Sequence, residues 1–158
     1  MHKICCFLGQ RRIEETEELK QRLYLIIENF ILKEKVATFL FGSKSQFNRL
    51  CYEQVTKIKA IYPHIKRVYV RAEFLEIDDS YKAYLHENYE DTYYPECVIG
   101  AGKAVYLKRN CEMINKSDFC VFYYDEDYLP RNRKSGTKLA FEYAFRKNKI
   151  VFNVCFNL

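Results

Sequence analysis

Short uninterrupted apolar runs alternate along this chain with longer stretches in which apolar residues recur every three or four positions. Ile4-Cys-Cys-Phe-Leu8, ending at Gly9, has the signature of a central parallel strand buried on both faces. From Ile13 to about Lys33, Thr16, Leu19, Leu23, Ile26 or Ile27, and Phe30 follow helical spacing, with Glu14, Glu15, Glu17 and Glu18 in the first turns. Ala37-Thr-Phe-Leu-Phe41 predicts a second strand closed by Gly42. Phe47, Leu50 or Cys51, Val55, Ile58 and Ile61 predict a helix opened by a capping box at Ser43-Lys-Ser-Gln46 and stopped by Pro63.

Arg67-Val-Tyr-Val-Arg71 predicts a third strand, after which the periodicity weakens from Glu73 to Gly102. That segment, with Tyr81, Tyr84, Tyr89, Tyr93 and Tyr94, reads as an irregular insert holding one short helix. Ala104, Leu107, Cys111 and Ile114 restore helical spacing, and Phe119 to Tyr124 predicts the fourth strand. A charged loop over 126–134 precedes a last helix marked by Thr137, Ala140 or Phe141, and Ala144; Ile150-Val-Phe-Asn-Val154 predicts the fifth strand. Five strands alternating with four amphipathic helices imply an α/β fold: a single Rossmann-like domain over residues 1–158, with a mainly parallel five-stranded sheet and helices on both faces.

Composition narrows the class without changing this picture. Hydrophobic residues make up 49% and aromatics 16% of the 158 residues, which suits a packed globule and not a disordered chain. No apolar run reaches the roughly 20 residues of a membrane span, and the start is too short for a secretory signal. A cytoplasmic protein without membrane contact is expected. The seven cysteines are odd in number and scattered, with no Cys-x-x-Cys and no histidine beside a cysteine pair, so neither a disulfide framework nor zinc is expected. No metal and no cofactor is assigned.

In an open parallel sheet, ligands sit beyond the carboxyl ends of the strands. Gly9-Gln-Arg-Arg12, Gly42-Ser-Lys-Ser45, Arg71 and the stretch from Tyr124 through Thr137, with Arg131, Arg133 and Lys134, land there. Glycines let backbone amides approach a phosphate, and helix N-termini add partial positive charge. The same glycines would end strands in any such fold, and the cations would solvate any loop. Gly100-Ala-Gly102-Lys103 fails as a P-loop, because Cys97 and Ala104 replace the glycine and the Ser/Thr it needs. Gly9 has no glycine partner, which disfavours an ordinary NAD enzyme.

Arg109 offers either a bidentate fork to phosphate or a solvated helix residue. Asn110 either orients a base or ribose hydroxyl or caps a local turn. Ser43 caps its helix, contacts phosphate, or both. Asp125 stands at the ligand end of its strand, Asp118 at the opposite end, where it closes a turn. The tyrosines of 81–94 either stack a nucleobase or cover a sheet edge or dimer interface. His64 and His86 read as loop or surface residues.

The run Asn110, Ile114, Ser117, Asp118 and Tyr124-Asp125, with the Gly9 and Gly42-Ser43 turns, resembles the SLOG superfamily, most closely its YpsA-like branch, over nearly the whole length. The resemblance implies a nucleotide-type ligand held by Gly9, Gln10, Arg11, Gly42, Ser43, Arg109, Asn110, Tyr124, Asp125, Ser135, Gly136 and Thr137. Several superfamily members are sensors in bacterial conflict, including antiphage signalling, so a sensor or sequestering protein is implied. In the phosphoribohydrolase branch an arginine and a glutamate cleave the N-glycosidic bond. Arg109, Met113 and Gly136-Thr137 match that pattern, but Leu139 and Ala140 occupy the glutamate positions and cannot move a proton. Glu142 would approach only if the helix started later. Binding without catalysis is therefore expected. The alternatives are a phosphoribohydrolase or deoxyribosyltransferase and, more remotely, a DprA-like single-stranded DNA binder. A net charge of +5 without an aromatic-basic stripe argues against the DNA binder. A homo-oligomer is expected, since parallel-sheet proteins of this size often pair through helices.

Overall fold

Alternate residues of the first apolar run face two different hydrophobic cores, which is why the run has no polar side. In the computed structural model, which describes residues 1–128 and 136–155, that run lies in β1 (Lys3–Gly9). The other strands are β2 (Val36–Phe41), β3 (Lys66–Val70), β4 (Asp91–Tyr93), β5 (Phe119–Tyr123) and β6 (Ile150–Asn153). The helices are α1 (Glu17–Lys33), α2 (Gln46–Lys59), α3 (Asp79–Asn88), α4 (Val105–Lys116) and α5 (Gly136–Arg146).

Cys5 and Phe7 pack with Phe39, Phe41 and Phe119 against Leu23, Ile27 and Phe30 of α1 and Leu50, Val55 and Ile58 of α2. Cys6 and Leu8 face the other way, with Leu40, Val70 and Phe122, onto Met113 and Ile114 of α4 and Ala140 and Ala144 of α5. Each large side chain removed from water in this way contributes about 1.5–3 kcal/mol before entropy is counted. The fold is thus α/β, a parallel sheet covered by helices on both faces. Cys5, Cys6, Cys51 and Cys120 serve as small buried apolar residues, and all seven cysteines are free.

Among the described residues the sheet has six strands where the sequence predicts five, in the order β4-β3-β2-β1-β5-β6, and every pairing is parallel. The additional strand, Asp91-Thr-Tyr93, lies within the insert and pairs with Val68–Val70. Three half-exposed residues at a sheet edge carry no period that a sequence could reveal. From the centre the chain steps outward through β2, β3 and β4, then returns to the far side of β1 as β5. This reversal opens a crevice beyond the carboxyl ends of the central strands.

Both early helices begin later than the hydrophobic pattern suggests. Thr16 caps α1 by accepting from the Leu19 N–H at 3.1 Å, and Ile13 donates its N–H to Gln46 Oε1 at 3.0 Å. Ser45, not Ser43, caps α2, accepting from the Asn48 N–H at 3.1 Å. Ser43 instead donates its hydroxyl to Ser45 Oγ at 2.8 Å, because two further residues are needed to turn from strand to helix. Ile61 falls beyond α2 and is exposed.

Candidate functional site

A cavity of about 990 Å³ opens at the carboxyl ends of β1, β2 and β3. Gly9, Gln10 and Arg11 reach it from the turn after β1, and Gly42 and Ser43 from the turn after β2. Arg109 and Asn110 reach it from α4, and Gly136 and Thr137 from the first turn of α5. Nine of the residues expected at a ligand site therefore line one space, although they span most of the chain.

Arg109 dominates its chemistry. The residue is 4% exposed, in a helix whose polar face the pattern would have given to solvent. Its Nη1 donates to the Gly42 carbonyl, its Nε donates to Asn110 Oδ1 at 3.1 Å, and its guanidinium lies 5.8 Å from the Tyr106 ring centroid. Burial pulls its pKa below arginine's ordinary value, while Tyr69, Tyr106 and Glu73 push the other way. No carboxylate among the described residues forms an ion pair with it. Taking a cation out of water with no carboxylate at ion-pair distance is costly, and an anion entering the cavity would supply a direct partner.

The glycine turns do something other than cradle phosphate. A Cβ on Gly9 would lie 2.3 Å from Phe47 Cδ2, so Gly9 lets the α2 aromatic close onto the end of β1. A Cβ on Gly42 would lie 2.7 Å from Arg109 Cδ and from Met113 Sδ. The Gly42 and Ser43 amides both point to Asn48 Oδ1, at 3.2 and 3.5 Å, and Asn48 Nδ2 donates to the Phe7 carbonyl at 3.0 Å. Gln46 N–H, at the start of α2, donates to the Arg11 carbonyl at 2.8 Å. The expectation that these amides face an anion is thus corrected for three of them: Gly42 and Ser43 spend theirs on Asn48, and Gln10 donates its N–H to the Tyr123 carbonyl at 3.2 Å. Of the three glycines that line the cavity, Gly136 alone has open space where a Cβ would stand.

Tyr124 and Asp125 do not line the cavity. Tyr124 is buried, with its ring against Phe141 and its backbone N–H and C=O both held by the Asn153 side chain, at 3.1 and 2.9 Å. The Asp125 carbonyl accepts from Gln10 Nε2 at 2.8 Å, so buried Gln10 ties the first turn to the end of β5. Asp118 accepts from the Ile4 N–H at 3.0 Å, at the opposite edge of the sheet. Ser135, Arg131, Arg133 and Lys134 lie outside the described residues.

The loop after β3 forms a wall that the sequence pattern did not suggest. Arg71 Nη2 donates to the Phe74 and Leu75 carbonyls at 2.7 and 2.9 Å, folding 72–77 back on itself. The Tyr106 hydroxyl donates to Glu73 Oε1 at 2.9 Å, closing this loop onto α4. Arg71 is therefore mostly engaged by the loop, and Glu73, Glu76 and Asp78 bring acid to the same wall. Cations (Arg11, Lys44, Arg109) line the strand and helix side, and carboxylates line the loop side. Weak periodicity hid this wall, because loop residues are placed by single polar contacts and not by a repeating face.

The Gly100–Lys103 run lies outside the cavity. Gly100 and Gly102 have φ of +71° and +58°, which explains their glycines as turn residues before α4. Among the described residues, no group of three or more His, Cys, Asp and Glu could hold a metal ion, and no helix is long and apolar enough to cross a membrane. No protein-family model and no curated protein matches the chain.

Proposed function

We propose that the protein binds a nucleotide or nucleotide-derived signalling molecule in the cavity at the carboxyl edge of the sheet, as a sensor or sequestering protein. The observation that carries this reading is the buried Arg109 guanidinium, which borders a roomy cavity and has no carboxylate partner among the described residues. An anionic group beside it would restore charge balance and accept charge-assisted hydrogen bonds. The order of the strands, Rossmann-like in its central reversal, and the resemblance to SLOG proteins in the Asn110-to-Asp125 run support a nucleotide over a simple anion. By the same resemblance, a role in conflict between bacteria and phage is the physiological setting proposed.

Isothermal titration of the purified protein with a panel of linear and cyclic nucleotides tests the reading. A saturable heat with at least one of them, reduced at least about tenfold in affinity by Arg109→Gln, is expected. Absence of binding at millimolar concentration across the panel would refute it.

One observation favours a second reading, nucleotide cleavage. Leu139 and Ala140 remain without acid function, but Glu73 brings a carboxylate to the cavity from the opposite wall, hydrogen-bonded by Tyr106. A carboxylate in such a place can act as nucleophile or general base at a glycosidic carbon. Release of free base from nucleoside monophosphates, abolished by Glu73→Gln, would establish this reading over simple binding.

A further inference from the structure

Beside the main cavity lies a second, smaller one of about 260 Å³, and the two share Ser43, Lys44, Ser45, Tyr69 and Tyr81 as a common wall. Its chemistry differs. Phe41 and the rings of Tyr52, Tyr69, Tyr81, Tyr84 and Tyr89 surround it. Tyr81 and Tyr84 are stacked, with centroids 6.2 Å apart and an interplanar angle of 14°. Tyr89 meets Tyr52 and Tyr69 at 5.1 and 5.2 Å in tilted pairs. Burial raises the Tyr69 and Tyr89 hydroxyls above tyrosine's ordinary pKa, so both stay neutral across the physiological range.

Two cations line this annex, Arg49 and, on the wall it shares with the main cavity, Lys44. Arg49 pairs with Glu15 and Glu53, and the Tyr52 hydroxyl donates to the Asn88 carbonyl at 2.6 Å. A space walled mainly by aromatic rings next to a more polar one suits a ligand with two unlike ends. Every nucleobase has a π-face that stacks on tyrosine, and the five tyrosine rings offer that face far more surface than a phosphate could use.

We infer that the tyrosine annex between α2, α3 and the end of β3 is the subsite for the planar aromatic end of the ligand, a nucleobase, with the phosphate at Arg109 across the shared wall. This rests on the proposed nucleotide reading and adds that the base, not only the phosphate, sets affinity.

Titrations with the four nucleoside 5′-monophosphates and with ribose 5-phosphate, which has no base, separate the two ideas. Tyr84→Ala is the informative variant, because Tyr84 is 55% exposed on α3 and its loss leaves the core intact. The expected result is that at least one monophosphate binds about tenfold or more tightly than ribose 5-phosphate. Tyr84→Ala should remove most of that advantage while leaving ribose 5-phosphate unaffected. Equal affinity of ribose 5-phosphate and every monophosphate, or a Tyr84→Ala variant that binds the monophosphate as wild type does, would overturn the annex and leave the phosphate site standing. Failure of all five compounds to bind would overturn both. Melting by circular dichroism confirms that Tyr84→Ala is folded, and saturation transfer to the base protons, strong in wild type and weak in the variant, provides a second readout.

Discussion

Arg109 lies across Gly42: its Nη1 donates to the Gly42 carbonyl, and its Cδ occupies the space a Cβ at position 42 would need, 2.7 Å away. The glycine after the second strand is therefore paired with an arginine 67 positions later, and a cavity-lining cation is held by backbone and not by an acid. Three glycines at strand or helix ends consequently fall into two classes of sensitivity.

Gly42→Ala pushes on Arg109 and Met113, and Gly9→Ala pushes on the Phe47 ring, whose Cδ2, Cγ and Cβ would all lie within 2.7 Å. Each should lose about 1–3 kcal/mol through overpacking. Gly136→Ala meets open space and should change stability by no more than about 0.5 kcal/mol. Urea denaturation of the three variants reads this ranking, and a Gly136→Ala variant less stable than Gly9→Ala would contradict it.

Arg109→Met should separate stability from binding. Methionine retains much of the volume and removes a buried cation that has no carboxylate partner among the described residues. The ligand-free variant should lie within about 1 kcal/mol of wild type or above it, since a poorly compensated buried charge contributes little to folding. Phosphate or sulfate should raise the melting temperature of wild type more than that of the variant. A variant that is several kcal/mol less stable would show that the Gly42 and Asn110 bonds matter more than the desolvated charge.

The edge of the sheet carries a pH-sensitive pair. Glu90 accepts from Arg67 Nε at 3.0 Å, Arg67 Nη2 at 2.7 Å and the Arg67 N–H at 2.8 Å. Partial burial alone would raise its pKa, but these bonds outweigh burial and bring it below the ordinary glutamate value. A carboxylate with a lowered folded pKa adds stability that is present above its unfolded pKa and disappears as pH falls through the folded one. Stability should therefore decline below about pH 4.5, and Glu90→Gln should flatten that decline while costing on the order of 1 kcal/mol at neutral pH. Denaturation midpoints measured from about pH 3 to about pH 7, a range that brackets the ordinary carboxylate pKa, check this; equal acid slopes in both proteins would count against it.

Arg71→Lys should loosen one wall of the cavity without unfolding the sheet. The guanidinium holds two carbonyls at once, Phe74 and Leu75, and an ammonium lacks that fork. Amide exchange over residues 72–78 should accelerate about tenfold while that of β1 and β5 stays unchanged, as expected of a local opening. Mass spectrometry after deuterium labelling measures it, and unchanged protection of the loop would show that the Tyr106–Glu73 contact alone fixes it.

Strand and helix alternation was legible in the chain because burial on two faces leaves an imprint on every residue of a run such as Ile4–Leu8, and burial on one face leaves it every third or fourth residue. From that alternation follow a parallel α/β sheet and a convergence of turns at the carboxyl ends of its strands, where Gly9 to Arg11, Gly42, Ser43, Arg109, Asn110, Gly136 and Thr137 line one cavity. Tertiary structure alone decided the rest. Asp91–Tyr93 becomes a strand only because Val68–Val70 offers it an edge. Tyr124 turns away from the cavity because Asn153 holds its backbone, and Gly42's amide faces inward because Asn48 takes it. Periodic burial is a local property repeated along the chain, whereas each of these outcomes depends on particular polar contacts that no repeating pattern of neighbours records.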